Sequence, residues 1–370
     1  MEKESEKIAF YVGPNGCGKT RFLINRAKTG IAARQRALAI ANTPFVRFPR
    51  SRELFKVFRV SPQGINRVVE KNLNRIFGLE EFRDSSQLSE LLYLLGFFQS
   101  VKLSFVIEKK SDFILDNIIR DEQHLSIIYS ILENSRFQRR IELDVSDSSD
   151  SFRRSLSEES RVFLLYIQIL KEAGIVKKYS LVFHHRDRKP QPFNMLSSGE
   201  QTLISTYLFI KANIYGLETI YIDEPENSLH PEWQRRYIEM LYMAIGYRKI
   251  RILLATHSPV LVSGAVSSYR EGVEVFKIDK DVRRKIEIDY TTGDDSVEEI
   301  LWEAFDTLTP VNHFLSIELS GILHKLTNGE INKSFAKEQI QEFVDKSYNK
   351  KQIGVLKSVL ERLPEFDRYG

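Results

Sequence analysis

One stretch of this chain constrains its fold more than any other. Gly13-Pro14-Asn15-Gly16-Cys17-Gly18-Lys19-Thr20 spells G-x-x-x-x-G-K-[ST], with the apolar run Ile8 to Val12 before it and Arg21 to Lys28, which reads as helix, after it. A short apolar run rich in β-formers reads as a buried strand. The loop therefore stands between strand and helix, the context in which this spelling has a mechanism. Its glycines let successive backbone N–H groups turn inward as an anion nest, and the helix N-terminus adds its dipole. The ligand such a nest fits is a phosphate chain, cradled by Asn15, Gly16, Cys17 and Gly18. Lys19 would reach the β- and γ-phosphates and Thr20 would offer a hydroxyl to Mg²⁺. A glycine-rich turn with an incidental lysine would account for the glycines but not for the strand and helix around them. Cys17 reads as a small filler on a loop used through its backbone, in preference to a redox switch.

Three further patterns follow at α/β spacing. Thr219 to Ile222 is a buried-strand pattern that ends in Asp223-Glu224-Pro225-Glu226. Ligands of open α/β sheets bind at the carboxyl ends of strands. Asp223 is thus placed to hold a magnesium shell, and Glu224 to orient or deprotonate an attacking water. A helix over Glu232 to Ile245, with an apolar stripe from Trp233 to Ile245 and Gly246 to stop it, leads to a strand over Ile250 to Ala255. Thr256-His257-Ser258-Pro259 follows, and His257 repeats the strand-end position of Asp223, where it can hydrogen-bond a terminal phosphate. Leu196-Ser197-Ser198-Gly199-Glu200-Gln201 opens the apolar helix Thr202 to Tyr215, and alone it reads as a helix N-terminus.

Composition excludes several classes. Hydrophobic residues make up 42% of the 370 and charged residues 28%, which is neither a disordered nor a collagen-like mix. A single cysteine excludes a disulfide framework and a cysteine-ligated zinc, and fits a reducing cytosol. The longest apolar run, Leu91 to Phe98, falls short of the ~20 residues of a membrane helix, and the charged start lacks a signal-peptide core. A cytoplasmic protein with no membrane partner is expected. The net charge of +4 is mild but conceals a local +6 over Phe45 to Arg75, where Phe45, Phe48, Phe55 and Phe58 interleave with eight basic residues. Two readings stay open there: a partly helical surface with its rings in the core, or a DNA- or RNA-binding face that grips phosphates and stacks bases. The adjacent His184 and His185 would face opposite sides of a strand, and no carboxylate cluster accompanies them, so no metal site is expected.

Taken together, the four patterns resemble the ATP-binding-cassette ATPases, in their soluble, AAA_21-like branch. In that resemblance residues 13–20 are the Walker A loop, 196–201 the signature, 220–224 the Walker B strand, 227–231 the D-loop and His257 the switch histidine. Two protomers of that family sandwich two ATPs, each signature capping the γ-phosphate held by the other protomer. The resemblance implies ATP and Mg²⁺ as ligands, with Glu224, His257 and Lys19 catalytic and Thr20 and Asp223 on the metal. It implies nucleotide contact by Ser198, Gly199 and Glu200 in trans, from a homodimer or a higher oligomer. Leu-Ser-Ser-Gly-Glu-Gln and Asp-Glu-Pro-Glu-Asn-Ser-Leu-His-Pro are similar to the ATPases of overcoming-lysogenization-defect-type, Septu-type and retron-associated anti-phage systems. Candidates for the family's glutamine between ATP and the lobe are Gln63, Gln87 and Gln99. Only seven residues precede the first strand, so later strands such as Val101 to Glu108 are candidates to hold the base.

The expected architecture is an α/β P-loop NTPase of this ATPase type, with a mostly parallel sheet, an inserted helical lobe and a C-terminal helical annex. The core is expected in 1–41 and 176–295, the lobe in 42–175 and the annex in 296–370, with annex helices over Val311 to Leu326, Lys333 to Lys346 and Lys351 to Leu363. Asp279-Lys280-Asp281 has the spelling of a nuclease metal motif but lies in an apparent hairpin, Val273 to Ile278 and Lys285 to Tyr290, so no nuclease is expected in the chain. The functional expectation is an ATP-hydrolysing dimeric switch of a bacterial anti-phage complex, controlling a separate nuclease or toxin. The alternative is a DNA-repair or recombination ATPase acting on DNA ends.

Overall fold

The computed structural model describes residues 8–43, 48–61, 64, 65, 68, 86–107, 115, 116, 119–134, 141–144, 158–246, 248–269, 272–279, 282–286, 305, 313–346 and 350–363. The chain starts with β1 (Ile8–Val12), α1 (Lys19–Ala32), β2 (Ala37–Ala41), β3 (Phe55–Arg59), α2 (Ser86–Leu94), β4 (Phe97–Ile107) and α3 (Glu122–Asn134). It continues through β5 (Ile141–Asp144), α4 (Glu158–Glu172), β6 (Val176–His185), β7 (Gln191–Pro192), α5 (Ser198–Ala212) and β8 (Thr219–Asp223). Then come α6 (Pro231–Arg235), α7 (Tyr237–Ile245), β9 (Arg251–Ala255), α8 (Pro259–Ser268), β10 (Val273–Asp279) and β11 (Val282–Ile286). The last helices are α9 (His313–Thr327), α10 (Lys333–Lys346) and α11 (Lys350–Arg362). Packing divides the chain into two compact units, Met1–Asn25 with Ile252–Gly370, and Arg26–Arg251.

In the first unit β1 runs parallel to β9 and β10, and β11 closes an antiparallel hairpin on β10. All five residues of β1 are buried, which is why the strand reads as an unbroken apolar run; a parallel strand covered on both faces has no polar side to alternate. The Tyr11 ring tilts against Phe22 of α1 at 4.7 Å and stacks on Phe276 of β10 at 5.7 Å. The Arg283 guanidinium covers the outer face of Phe276 at 4.2 Å. Farther along, α9, α10 and α11 build a core of their own around Leu315, Ile322, Ile340, Phe343 and Leu356. Those three helices lie within one residue of where the sequence places them, apart from 311 and 312, which fall outside the described residues.

In the second unit β2 lies between β8 and β3, all parallel, with Ala41 level with Asp223 on one side and Arg59 on the other. A separate antiparallel sheet runs β5-β4-β6-β7. Helix α5 buries twelve of its fifteen residues and packs on α7; a helix apolar nearly all round is one enclosed by its neighbours. A strand, a glycine-rich loop and a helix beside parallel strands make this an α/β fold of the P-loop NTPase type.

Several details differ from expectation. The basic stretch, read either as a partly helical surface or as a nucleic-acid face, also contains a strand, β3, and the lobe carries β5 as well as β4, which covers the strand expected from Val101. Phe55 and Phe58, three apart as on a helix, are both buried because β3 is covered on both faces. Phe48 is buried too, whereas Phe45, Arg47, Arg67, Lys71 and Arg75 fall outside the described residues. The helix expected over Glu232 to Ile245 is interrupted at Arg236, whose ψ of 9° ends α6 before α7 begins. The second hairpin strand is Val282–Ile286, and Asp281 falls outside the described residues. Of the glutamine candidates, Gln63 is not described, and neither are the side chains of Gln87 and Gln99. Among the described residues, no helix is long and apolar enough to cross a membrane.

Candidate functional site

The first unit contributes the glycine-rich loop. It leaves the end of β1 and enters α1 at Lys19, with the Phe22 N–H donating to the Gly18 carbonyl at 2.9 Å. The loop starts with Gly13 at φ +147°, a position where a Cβ would lie 2.7 Å from the Ile278 carbonyl oxygen and 2.8 Å from Cys17 Sγ. Only glycine fits there. Cys17 is buried against that glycine, the place of a small filler. Lys19 is also buried, and its ammonium donates to the carbonyls of Gly13 at 2.8 Å and Pro14 at 3.0 Å. Pro14, Asn15 and Gly16 at the loop tip are exposed.

His257 comes to the same edge of that unit. The Thr256 N–H donates to the Tyr11 carbonyl at 3.1 Å, two residues before the loop starts. Thr256 is buried and its hydroxyl accepts from the Ser258 N–H at 2.9 Å; Ser258 in turn caps α8 by accepting from the Leu261 N–H at 3.2 Å. This tight turn leaves the imidazole of His257 exposed at the carboxyl end of β9.

The second unit assembles the acidic turn and the serine-glycine motif. Asp223 ends β8 with 1% of its surface exposed. Glu224 takes a left-handed backbone, φ +48°. Its carboxylate accepts from the Asn227 side-chain amide at 3.0 Å, and its carbonyl accepts from the Asn227 N–H at 3.3 Å. Ser197 is the N-cap of α5 in a reciprocal capping box. The Glu200 carboxylate accepts from both the N–H and the hydroxyl of Ser197, each at 2.7 Å, which leaves Ser198 exposed at the first helical position. Gly199 lies against the next loop: a Cβ there would meet the Ser228 carbonyl oxygen at 2.7 Å and the Trp233 ring at 2.8 Å. The serine-glycine motif and the 227–231 loop are therefore one packed unit, held further by the Gln234 amide donating to the Leu229 carbonyl at 3.0 Å.

Two residues of this second cluster had no motif to announce them. Trp233, read as part of a helix stripe, covers Gly199. Asn42, buried at the end of β2, donates through its N–H to the Asp223 carbonyl at 3.1 Å and through its side-chain amide to the Pro225 carbonyl at 3.0 Å. A polar residue directly after an apolar strand was the available signal. The hydroxyl of Tyr237 is buried nearby at the start of α7, and its ionisation is pushed far above the ordinary phenol range by burial, with the Glu226 charge adding to it.

Residues 119–263 match the family model described as "AAA domain, putative AbiEii toxin, Type IV TA system". That span carries the capping-box motif, the acidic turn and His257. Over those residues the chain is similar to P-loop ATPases of the AAA_21 kind. The glycine-rich loop at 13–20 precedes the matched residues. Among solved structures, the chain is similar to the SMC head domain from Thermotoga maritima, with 14% identity over 30% of this chain and 39% of that one at a TM-score of 0.23. It is also similar to the Smc head domain with an extended coiled coil bound to the C-terminal domain of ScpA, from Pyrococcus furiosus. There the identity is 12% over 65% of this chain and 61% of that one, at a TM-score of 0.24. The chain thus spans less than two thirds of either structure. No curated protein matches it.

Proposed function

We propose that this protein binds and hydrolyses ATP as a homodimeric switch in the cytoplasm. The observation that carries the reading is the glycine-rich loop closed between β1 and α1, with the buried Lys19 ammonium drawn over it. Backbone N–H groups of Asn15, Gly16, Cys17 and Gly18 would hold phosphate oxygens, the Cys17 N–H giving up its bond to the Pro14 carbonyl, and Lys19 would exchange its loop carbonyls for the β- and γ-phosphates. The donor set suits magnesium: the Thr20 hydroxyl at the head of α1 and the deeply buried Asp223 carboxylate are hard oxygen ligands. Bound there, the ion would neutralise phosphate charge. Glu224 would take the proton of the attacking water, and Asn227 holds its carboxylate for that task. His257 would hydrogen-bond the terminal phosphate. Ser198 and Gly199 would close on the nucleotide of a second copy, with Glu200 acting through its grip on Ser197.

The core, lobe and annex divisions expected from the sequence go with this reading, the lobe and annex being where an effector would dock. A role in anti-phage defence, switching a separate nuclease or toxin, is supported by the family description, which names a toxin of a type IV TA system. The deciding experiment is Glu224→Gln. That protein should bind ATP, turn it over at least about a hundredfold more slowly, and accumulate as a dimer in size-exclusion chromatography with ATP and Mg²⁺. Turnover at the wild-type rate would overturn the hydrolysis assignment. DNA-stimulated turnover that is lost in an Arg50→Glu/Arg52→Glu protein would move the reading to an ATPase acting on nucleic acid.

A further inference from the structure

Glu224 stands in a conformation its own chemistry resists. A left-handed backbone is costly for a residue with a Cβ, and the residue before a proline is pressed toward extended conformations. Glu224 has φ +48° and precedes Pro225. The ties from Asn227 to its carboxylate and carbonyl come from within the same turn and would move with it. Asn42 reaches that turn from outside, from the end of the neighbouring strand β2. Its N–H holds the Asp223 carbonyl at 3.1 Å and its side-chain amide holds the Pro225 carbonyl at 3.0 Å. It therefore grips the residues on both sides of Glu224.

The side-chain bond is more than an extension of the sheet. Continuing the β2–β8 ladder needs a backbone N–H, which any residue but proline supplies. The amide reaches one residue beyond Glu224, and because a carbonyl only accepts, its NH₂ end must face Pro225. That leaves Asn42 Oδ1 buried and without a hydrogen-bond partner among the described residues, an arrangement that is costly unless the orientation is needed. We propose that Asn42 is a positioning residue that clamps Asp223 and Pro225 so that Glu224 is held left-handed with its carboxylate aimed for catalysis. This rests on the reading of Glu224 as the residue that activates water.

The test uses the full-length chain and three substitutions. Asn42→Ala removes the amide, and Asn42→Asp keeps its size but sets a carboxylate oxygen against the Pro225 carbonyl. Each should lower kcat for ATP by about tenfold or more, with KM within about threefold, because misplacing a catalytic group slows chemistry without loosening the phosphate loop. In a Pro225→Ala background the turn opposes the conformation less, so Asn42→Ala should cost less than half as much in log kcat; full additivity overturns the proposal. Crystal structures read the same point without turnover. Glu224 should keep its positive φ in the wild type and leave the left-handed region in Asn42→Ala. Should Asn42→Ala fail to fold, the near-isosteric Asn42→Asp carries the comparison. A folded variant with wild-type kcat, or with φ of Glu224 unchanged, overturns the clamp. Absence of ATP turnover in the wild type would instead overturn the hydrolysis reading, and the backbone comparison would still decide the clamp.

Discussion

A methyl group added at Gly199 would sit 2.7 Å from the Ser228 carbonyl oxygen and 2.8 Å from the Trp233 ring. The carbonyl belongs to a backbone already at φ +69°, so it cannot swing aside as a side chain could. Gly199→Ala should therefore destabilise the protein by about 1–3 kcal/mol, measured by urea unfolding, through overpacking. Adding Trp233→Leu should recover little, because the nearer clash is with backbone. Tyr237 makes the opposite case. Its buried hydroxyl has no hydrogen-bond partner among the described residues, so Tyr237→Phe should be neutral or stabilising by up to about 1 kcal/mol. The sign of its pH effect follows from the raised pKa. Below the unfolded phenol value of about 10 both states keep the proton and the stability contribution is complete. Above that value the unfolded chain alone releases its proton, and stability falls with rising pH. Thermal melts from pH 9 to 11 should show a shallower alkaline decline in Tyr237→Phe than in the wild type.

Elements show where sequence patterns suffice and where they mislead. Strand β1 and the ends of α10 were legible to the residue, because an apolar run before a phosphate-loop spelling and a clean helical stripe are local signals. The capping box of α5 was not read as one, although Ser197 and Glu200 have its spacing. Removing its hydroxyl through Ser197→Ala should cost about 1 kcal/mol in denaturant unfolding, while the Glu200 carboxylate keeps the backbone N–H of residue 197. Strand β3 had no sequence pattern to announce it, since Phe55 and Phe58 repeat at three, a helical interval. A strand covered on both faces needs no period of two, so its pattern cannot distinguish it from a short helix. The break at Arg236 was invisible for a different reason. Neither proline nor glycine stands there, and the Arg236 guanidinium pairs with Glu239 at 2.7 Å and 2.8 Å as it would on an unbroken helix.

At the scale of the molecule, the C-terminal segment carries an apolar core that, among the described residues, is composed of residues from Leu315 to Leu363. Ile340→Ala should loosen that core by about 2–5 kcal/mol. Hydrogen exchange should then quicken in α9, α10 and α11 while protection in β1 and β9 is kept, since local opening follows local burial. Uniform loss of protection across the chain would show that these helices share their stability with the strands.

By itself the sequence determined the local patterns that short stretches can encode: a glycine-rich loop between strand and helix, a carboxylate pair at a strand end, a histidine after the next strand, and a serine-glycine helix start. Each works through neighbours in the chain, so its spelling is enough. Tertiary structure decided what joins across distance. Asn42 meets Pro225 from 183 residues away, and Gly199 meets Ser228 and Trp233 across a loop. Such contacts follow from which strands lie side by side and which helix is enclosed. A parallel strand carries no residue pattern that names its partner, because its pairing is made by backbone groups that every residue shares.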